Sequence, residues 1–260
     1  MPSAMSRGSA LLLLAFVSVP ALADPLDAQA IVDAADRARN PQKPFQMTMT
    51  LVDYVRGKAQ DSVTLGIHAK IDPQTRQFRN LVRYLAPPRD EGKLVLLDAS
   101  KMWFYDPAAK TSIRISAQQR LTGQASNGDV LTVNLAHDYT AKLLGEETIK
   151  DADRQERRTW HLDLAAATSD AMYNRLECWV ERDTNRPIKT KFYADSGRLL
   201  KIAYYRAYAD VLGATRPTQT VIIDAVDPGL VTTVAAGDFR EQEIPDAWFQ
   251  RDYLPRLEQK

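Results

Sequence analysis

Apolar and polar residues alternate with a period of two through most of this chain, and that pattern constrains the fold more than any other feature. Phe45, Met47, Met49 and Leu51 alternate with Gln46, Thr48, Thr50 and Val52, and Val63, Leu65, Ile67 and Ala69 with Thr64, Gly66, His68 and Lys70. The same period returns in Arg157–Ala165, where Trp160, Leu162 and Leu164 share a face, and in Arg175–Arg182 with Leu176, Cys178 and Val180. Such runs are half-buried strands. Gly57-Lys58, Thr184-Asn185-Arg186-Pro187 and Ala194-Asp195-Ser196-Gly197 separate pairs of them as hairpin turns. With Ile188–Tyr193, Arg198–Tyr208, Thr218–Val226 and Leu230–Val234 the series reaches about a dozen strands. The gaps between most strands are too short for a crossover helix, so the sheet or barrel is antiparallel.

One stretch breaks the regularity. Arg76–Asp129 carries three or four short apolar runs divided by Pro87-Pro88, Glu91-Gly92, Asp98-Ala99-Ser100 and Asp106-Pro107, and ends in a polar loop, Ala117–Asp129, without a strand pattern. Tyr139–Ile149 reads either as a strand or as a helical turn ending at Gly145, and Phe239–Lys260 is irregular with scattered aromatics. The clear helix is Asp24–Asn40, with Asp27 as its cap, an apolar stripe of Ala28, Ile31, Val32, Ala35 and Ala38, and Asn40-Pro41 as its stop. A striped helix needs an apolar surface to cover, and the concave face of a curved sheet supplies one.

The first residues read as an export signal. Arg7 is a positive start, Ala10–Val19 an apolar core and Ala21-Leu22-Ala23 a small-x-small cleavage site, so residues 1–23 are expected to be removed and 24–260 to form one domain. The apolar run is shorter than the roughly 20 residues of a spanning helix. This is a periplasmic or secreted address. The formal net charge of +1 includes Arg7, so the exported chain is close to neutral. That argues against nucleic acid and against strongly anionic membranes as partners. Cys178, the single cysteine, leaves no internal disulfide.

Chemistry-bearing motifs are absent. His68, His137 and His161 are far apart in sequence and fit no metal-ligand spacing, and each is expected to be solvated. No nucleophile elbow, phosphate loop, dinucleotide fingerprint or calcium loop occurs. Cys178 alternates with Leu176 and Val180 as a buried thiol, and Asp151 and Asp153 belong to a charged turn. No enzyme, cofactor or metal is expected. What the chain has in excess is large apolar strand face, which either fills an ordinary core or lines a cavity for an aliphatic ligand; periodicity alone leaves both open. Neighbouring methionines suit a surface that fits varied chains.

Tyr84-Leu-Ala-Pro-Pro-Arg-Asp-Glu-Gly-Lys-Leu-Val-Leu-Leu-Asp98, Met102-Trp-Phe-Tyr-Asp-Pro107 and Ser112-Ile-Arg-Ile-Ser116 resemble the outer-membrane lipoprotein-sorting protein family, a branch of the periplasmic lipoprotein-carrier superfamily found beside exporters of the resistance-nodulation-division type. Leu176–Lys189 and Phe192–Lys201 are similar to a second block of that family's pattern. The resemblance implies a mainly β fold with a few helices: an unclosed antiparallel β-barrel of about eleven strands covered by helices, with an apolar cavity. It implies a monomeric periplasmic carrier that takes acyl chains of a lipoprotein or lipid toward the outer membrane through transient contact with a membrane protein, with an adaptor for an exporter as the alternative. The expected cavity residues are Met47, Met49, Leu51, Leu65, Tyr84, Leu97, Trp103, Tyr105, Trp160, Leu162, Leu164, Leu176, Val180, Phe192, Ile202 and Tyr204. The chain departs from the family at Leu121–Asp129, where aromatic flanks are missing, and Gln118–Asp129 or the helix over Asp27–Arg39 is expected to act as a lid.

Overall fold

The computed structural model describes residues 27–98, 101–168 and 171–257; the expected leader at 1–23 lies outside the described residues. The alternating segments become β1 (Phe45–Val55), β2 (Lys58–Ile71), β3 (Phe78–Ala86), β4 (Leu94–Asp98), β5 (Lys101–Asp106) and β6 (Thr111–Ile115) in the first wing. A small hairpin follows, β7 (Arg120–Thr122) and β8 (Ala125–Ser126). The second wing holds β9 (Tyr139–Lys150), β10 (Glu156–Ala166), β11 (Arg175–Glu181), β12 (Pro187–Tyr193), β13 (Leu199–Val211), β14 (Ala214–Asp224) and β15 (Leu230–Glu241).

Thirteen of these strands form one antiparallel sheet in the order β6-β5-β4-β3-β2-β1-β15-β14-β13-β12-β11-β10-β9, while β7 and β8 pair only with each other. Each wing is a meander of sequence neighbours, and the two meet where β1 pairs with β15, Leu51 opposite Val234. The edges β6 and β9 do not pair, so the barrel is unclosed, with thirteen strands in place of the expected eleven. The turns follow their residues. Val55 pairs with Lys58 across Arg56 and Gly57, both at positive φ (48° and 79°), the pair a tight twisted hairpin requires. Tyr139–Ile149 is strand, with an irregularity at Leu144 where His161 faces Gly145 and Leu162 faces Leu143.

The concave face is covered in two places. Helix α1 (Ala28–Arg39) is capped by Asp27, whose carboxylate accepts the Gln29 N–H. It lays Ile31, Val32 and Ala35 on Trp160, Leu162, Leu164, Leu176 and Val180 of the second wing. Over the first wing the chain between β6 and β9 folds inward. It is not the strandless loop expected: it carries the β7–β8 hairpin, a 3₁₀ turn at Asn127–Val130 and a single helical turn, α2 (Leu135–Asp138). On the convex side, α3 (Leu254–Leu257) and the two 3₁₀ turns before it place Ile244, Phe249, Leu254 and Leu257 over Leu81, Leu94, Leu96 and Tyr105. Strand β4 is therefore buried on both faces, and Leu94, Val95, Leu96 and Leu97 are all nearly inaccessible. No helix among the described residues is long and apolar enough to cross a membrane.

Candidate functional site

An apolar cavity of about 170 Å³ remains between the concave face and the segments that roof it. Its floor is the sheet: Phe45, Met47 and Met49 of β1, Leu176 of β11, Thr190 and Phe192 of β12, Ala203 and Tyr205 of β13, Ile222 of β14, and Val234 and Ala236 of β15. Its roof is mostly not sheet. Arg39–Pro41, Gly128–Asp129, Leu131–Val133, Leu135, Asp138 and Met172–Tyr173 belong to helix ends and connections, and Tyr139 is the first residue of edge strand β9. The two halves differ in what holds them. Ladder hydrogen bonds fix the floor along its length, whereas a handful of side chains tie down the roof.

Lys201, 5% exposed on the concave face of β13, is the first of these ties. Its ammonium is paired with the Asp129 carboxylate and donates to Ser126 Oγ (3.1 Å). Asp129 also accepts the Ser126 N–H (2.7 Å) and the Tyr173 hydroxyl (3.0 Å). Tyr173 and Tyr139 exchange bonds in turn, the Tyr139 hydroxyl donating to Tyr173 C=O at 2.9 Å and accepting Tyr173 N–H at 3.1 Å. Burial, with the Asp129 charge beside it, pushes the Tyr173 hydroxyl far above the ordinary phenol range. Asn80 of β3 holds Thr132 from both sides, donating to its C=O at 2.8 Å and accepting its N–H at 2.9 Å.

The end of α1 supplies the other ties. Arg39 and Asn40 each donate to Val133 C=O at 2.8 Å. Asp36 accepts Arg39 (2.8 Å) and the Ala136 N–H (2.8 Å), and burial pushes its carboxyl up to about 6 although Arg39 and the backbone donors pull the other way. Gln29 completes the set: its amide donates to the C=O groups of Ala136 (2.7 Å) and Tyr139 (3.0 Å) and accepts Ala141 N–H (3.0 Å), pairing the top of edge strand β9 as another strand would.

Of the residues expected to line a cavity, Met47, Met49, Leu176 and Phe192 line this one, and Tyr84 lines a second one beside it. Leu51, Leu65, Tyr84 and Leu97 lie on the same concave face but beneath Ala125 and Val130 of the β7–β8 region. Trp160, Leu162, Leu164 and Val180 pack under α1. Four expectations fail outright. Trp103 and Tyr105 lie on the convex side under the carboxyl-terminal segment. Ile202 and Tyr204 are half-exposed on the convex face, because β13 turns Lys201, Ala203 and Tyr205 inward. A strand's side chains alternate strictly, so placing a lysine inside puts its apolar neighbours outside.

Tyr139, Tyr173, Leu131 and Tyr205 line the cavity without having been expected there. Ser126-Asn-Gly-Asp129 ahead of Val130-Leu131 has the spacing of a capping box and is the one sequence signal that marks the roof as ordered. The histidines do not converge, and no group of metal-ligating side chains exists among the described residues. His161 stacks on Trp179 at 4.2 Å and His68 meets Trp248 edge-on at 5.2 Å, so these two are packed rather than freely solvated. Cys178 is buried and its thiol is pushed up to about 11 by that burial.

The same architecture occurs in a LolA superfamily protein from Nitrosomonas europaea, which is 31% identical, aligns over 88% of this chain and 100% of its own length, and superimposes with a TM-score of 0.78. This chain belongs to the LolA superfamily. Two more distant structures share the LolA-like open half-barrel: a domain described as an outer membrane lipoprotein-sorting protein from Vibrio parahaemolyticus (18% identity, 88% and 98% coverage, TM-score 0.73) and a DUF1329 family protein from Desulfovibrio piger (20% identity, 88% and 99% coverage, TM-score 0.72). A family model described as an uncharacterized protein matches residues 76–256 of this LolA superfamily member. No curated protein sequence matches it.

Proposed function

We propose that this protein is a periplasmic carrier that binds acyl chains of a lipid or lipoprotein in the cavity and passes them toward the outer membrane. The observation that carries this reading is the unequal construction of the site: an apolar floor fixed by the sheet, and a roof of connections held by few polar ties. A cavity of about 170 Å³ falls below the roughly 300–1,000 Å³ usual for ligand pockets. On this reading the cavity must widen to take a whole chain, and loading moves the roof. Each methylene taken from water contributes roughly 0.8 kcal/mol, so one long chain offsets the loss of several of the roof's hydrogen bonds at about 1 kcal/mol each. Membership of the LolA superfamily supports the reading, and the exporter partner and monomeric state implied by the sequence resemblance are carried with it as proposals.

Displacement of a fluorescent fatty acid tests this. Native protein is expected to bind the probe, and Ala236→Trp, which fills the cavity from a half-buried position, is expected to lose it with an unchanged circular dichroism spectrum. An adaptor with a filled core would bind no probe in either form, and that result would overturn the carrier reading.

A further inference from the structure

A second cavity of about 410 Å³ opens on the same concave face at the far ends of β1 and β2, between them and the β7–β8 hairpin. Val63, Tyr84, Phe104 and Leu121 form its apolar wall; Asp53 and Asp61 line it as well, as do Arg89 and Lys93, both of which pair with Asp90. It is the first cavity's neighbour. Met49 of the first pairs with Leu65, and Leu51 pairs with Val63 of the second, so adjacent rungs of one hairpin separate them. What lies across those rungs is a single segment of the chain. Gly128, Asp129 and Leu131 line the first cavity, Leu121, Thr122 and Gly123 line the second, and Ala125 and Val130 fill the space between.

That segment is weakly built. Its strands are three and two residues long and pair with nothing in the main sheet. A lone two-stranded hairpin is marginal in water. Its tip is held by polar contacts: Thr122 Oγ1 donates to Asp53 at 2.5 Å, Gln124 N–H donates to Thr232 Oγ1 at 2.7 Å, and Thr232 donates to Asp53 at 2.8 Å. Beneath it Leu51 and Leu65 are fully buried, so lifting the hairpin exposes apolar surface unless other apolar matter takes its place.

We infer that the acyl-binding groove runs the whole length of the concave face and that the β7–β8 hairpin is a displaceable occupant of its second half. A long chain enters the first cavity, replaces Ala125 and Val130 over Leu51 and Leu65, and reaches the second cavity; a short chain stops before the hairpin. This rests on the carrier reading and extends it to a ligand class, single acyl chains long enough to span both compartments.

Two variants of the full chain test it. Phe104→Trp places an indole in the second cavity, and quenching by terminally brominated hexadecanoate and octanoate is compared with quenching of the native tryptophans in the parent protein. The expected result is added quenching by the long acid only. Gly123→Ala loosens the hairpin tip, since a Cβ at Gly123 would lie 1.9 Å from Asp53 Oδ1 and 2.5 Å from Thr232 Oγ1. It is expected to tighten hexadecanoate binding about tenfold, equivalent to about 1.4 kcal/mol, and to leave octanoate unchanged. Thr122→Val, which removes the bond to Asp53 and keeps the shape, serves the same purpose should the alanine variant fail to fold. If hexadecanoate displaces the probe but gives no added quenching, and the loosened variants do not shift the preference between the acids, the groove ends at the hairpin and the inference is wrong. If neither acid displaces the probe, the carrier reading fails first and this inference goes with it.

Discussion

Replacing Asp36 with asparagine isolates one roof tie and gives it a pH signature. The native carboxyl holds its proton up to about pH 6, while in the unfolded chain it is released near 3.8. Between these values the native state binds more protons, so acidification through the window stabilises the fold and ionisation at neutral pH costs it. The difference between the two values corresponds to about 3 kcal/mol. The asparagine side chain would still accept the Ala136 N–H but would not titrate. His68 works in the opposite sense, since burial, and then the Arg83 charge, hold its imidazole below 6.5 and acid destabilises the native state. Both proteins contain His68, so the difference between them removes it. Urea unfolding of wild type and Asp36→Asn from pH 4 to 8 is the measurement. Relative to the variant, wild type should gain about 2–3 kcal/mol on going from pH 7.5 to 4. A flat difference, or a loss on acidification, would show that Arg39 outweighs burial at this site and would refute the reasoning.

Three further outcomes follow from the same ties. Lys201→Met leaves the Asp129 carboxylate buried without its cation and should cost about 3–5 kcal/mol in urea unfolding, and adding Asp129→Asn should restore part of that; a double variant no more stable than the single would count against a buried ion pair. Gln29→Leu should cost about 1–3 kcal/mol and raise hydrogen exchange at the Ala141 amide, and unchanged protection there would mean the amide does not pair the edge of β9. Leu164→Lys should unfold the protein instead of merely blocking ligand, because Leu164 is fully buried under α1 and outside the cavity.

Much of this was legible in the sequence, for identifiable reasons. Asp27, the stripe at Ile31, Val32 and Ala35, and the positive-φ turn residues Gly57, Asn185 and Gly197 act locally, and local rules found them. Period-two patterning located the strands, because each buries one face more than the other. It cannot say which face is concave. In β13 the inward row begins with a lysine whose partner, Asp129, lies 72 residues away, so the more apolar row, Ile202 and Tyr204, looked like the inside. In β4 and β5 the carboxyl-terminal segment covers the convex face, which makes Trp103 and Tyr105 core residues on the side away from the cavity. Apart from the Ser126–Asp129 capping box, what ties the roof down was invisible for a related reason: Asn80–Thr132 and Arg39–Val133 are non-local bonds to backbone atoms, which have no sequence signature.

The pairing of β1 with β15 at the centre of the sheet has a consequence for how the chain reaches this fold. β1 is the first strand made and β15 the last, with both meanders between them. As the chain emerges amino end first, β2 to β6 can assemble on one side of β1 while its other edge stays open until β15 arrives. That edge presents Phe45, Met49 and Leu51 on a strand with unpaired backbone groups, an invitation to pair with a neighbouring chain. The seam that makes the mature floor continuous is thus the last joint to close. Conditions that slow delivery of the carboxyl-terminal strands should lower the yield of folded protein more than a local defect in either meander would.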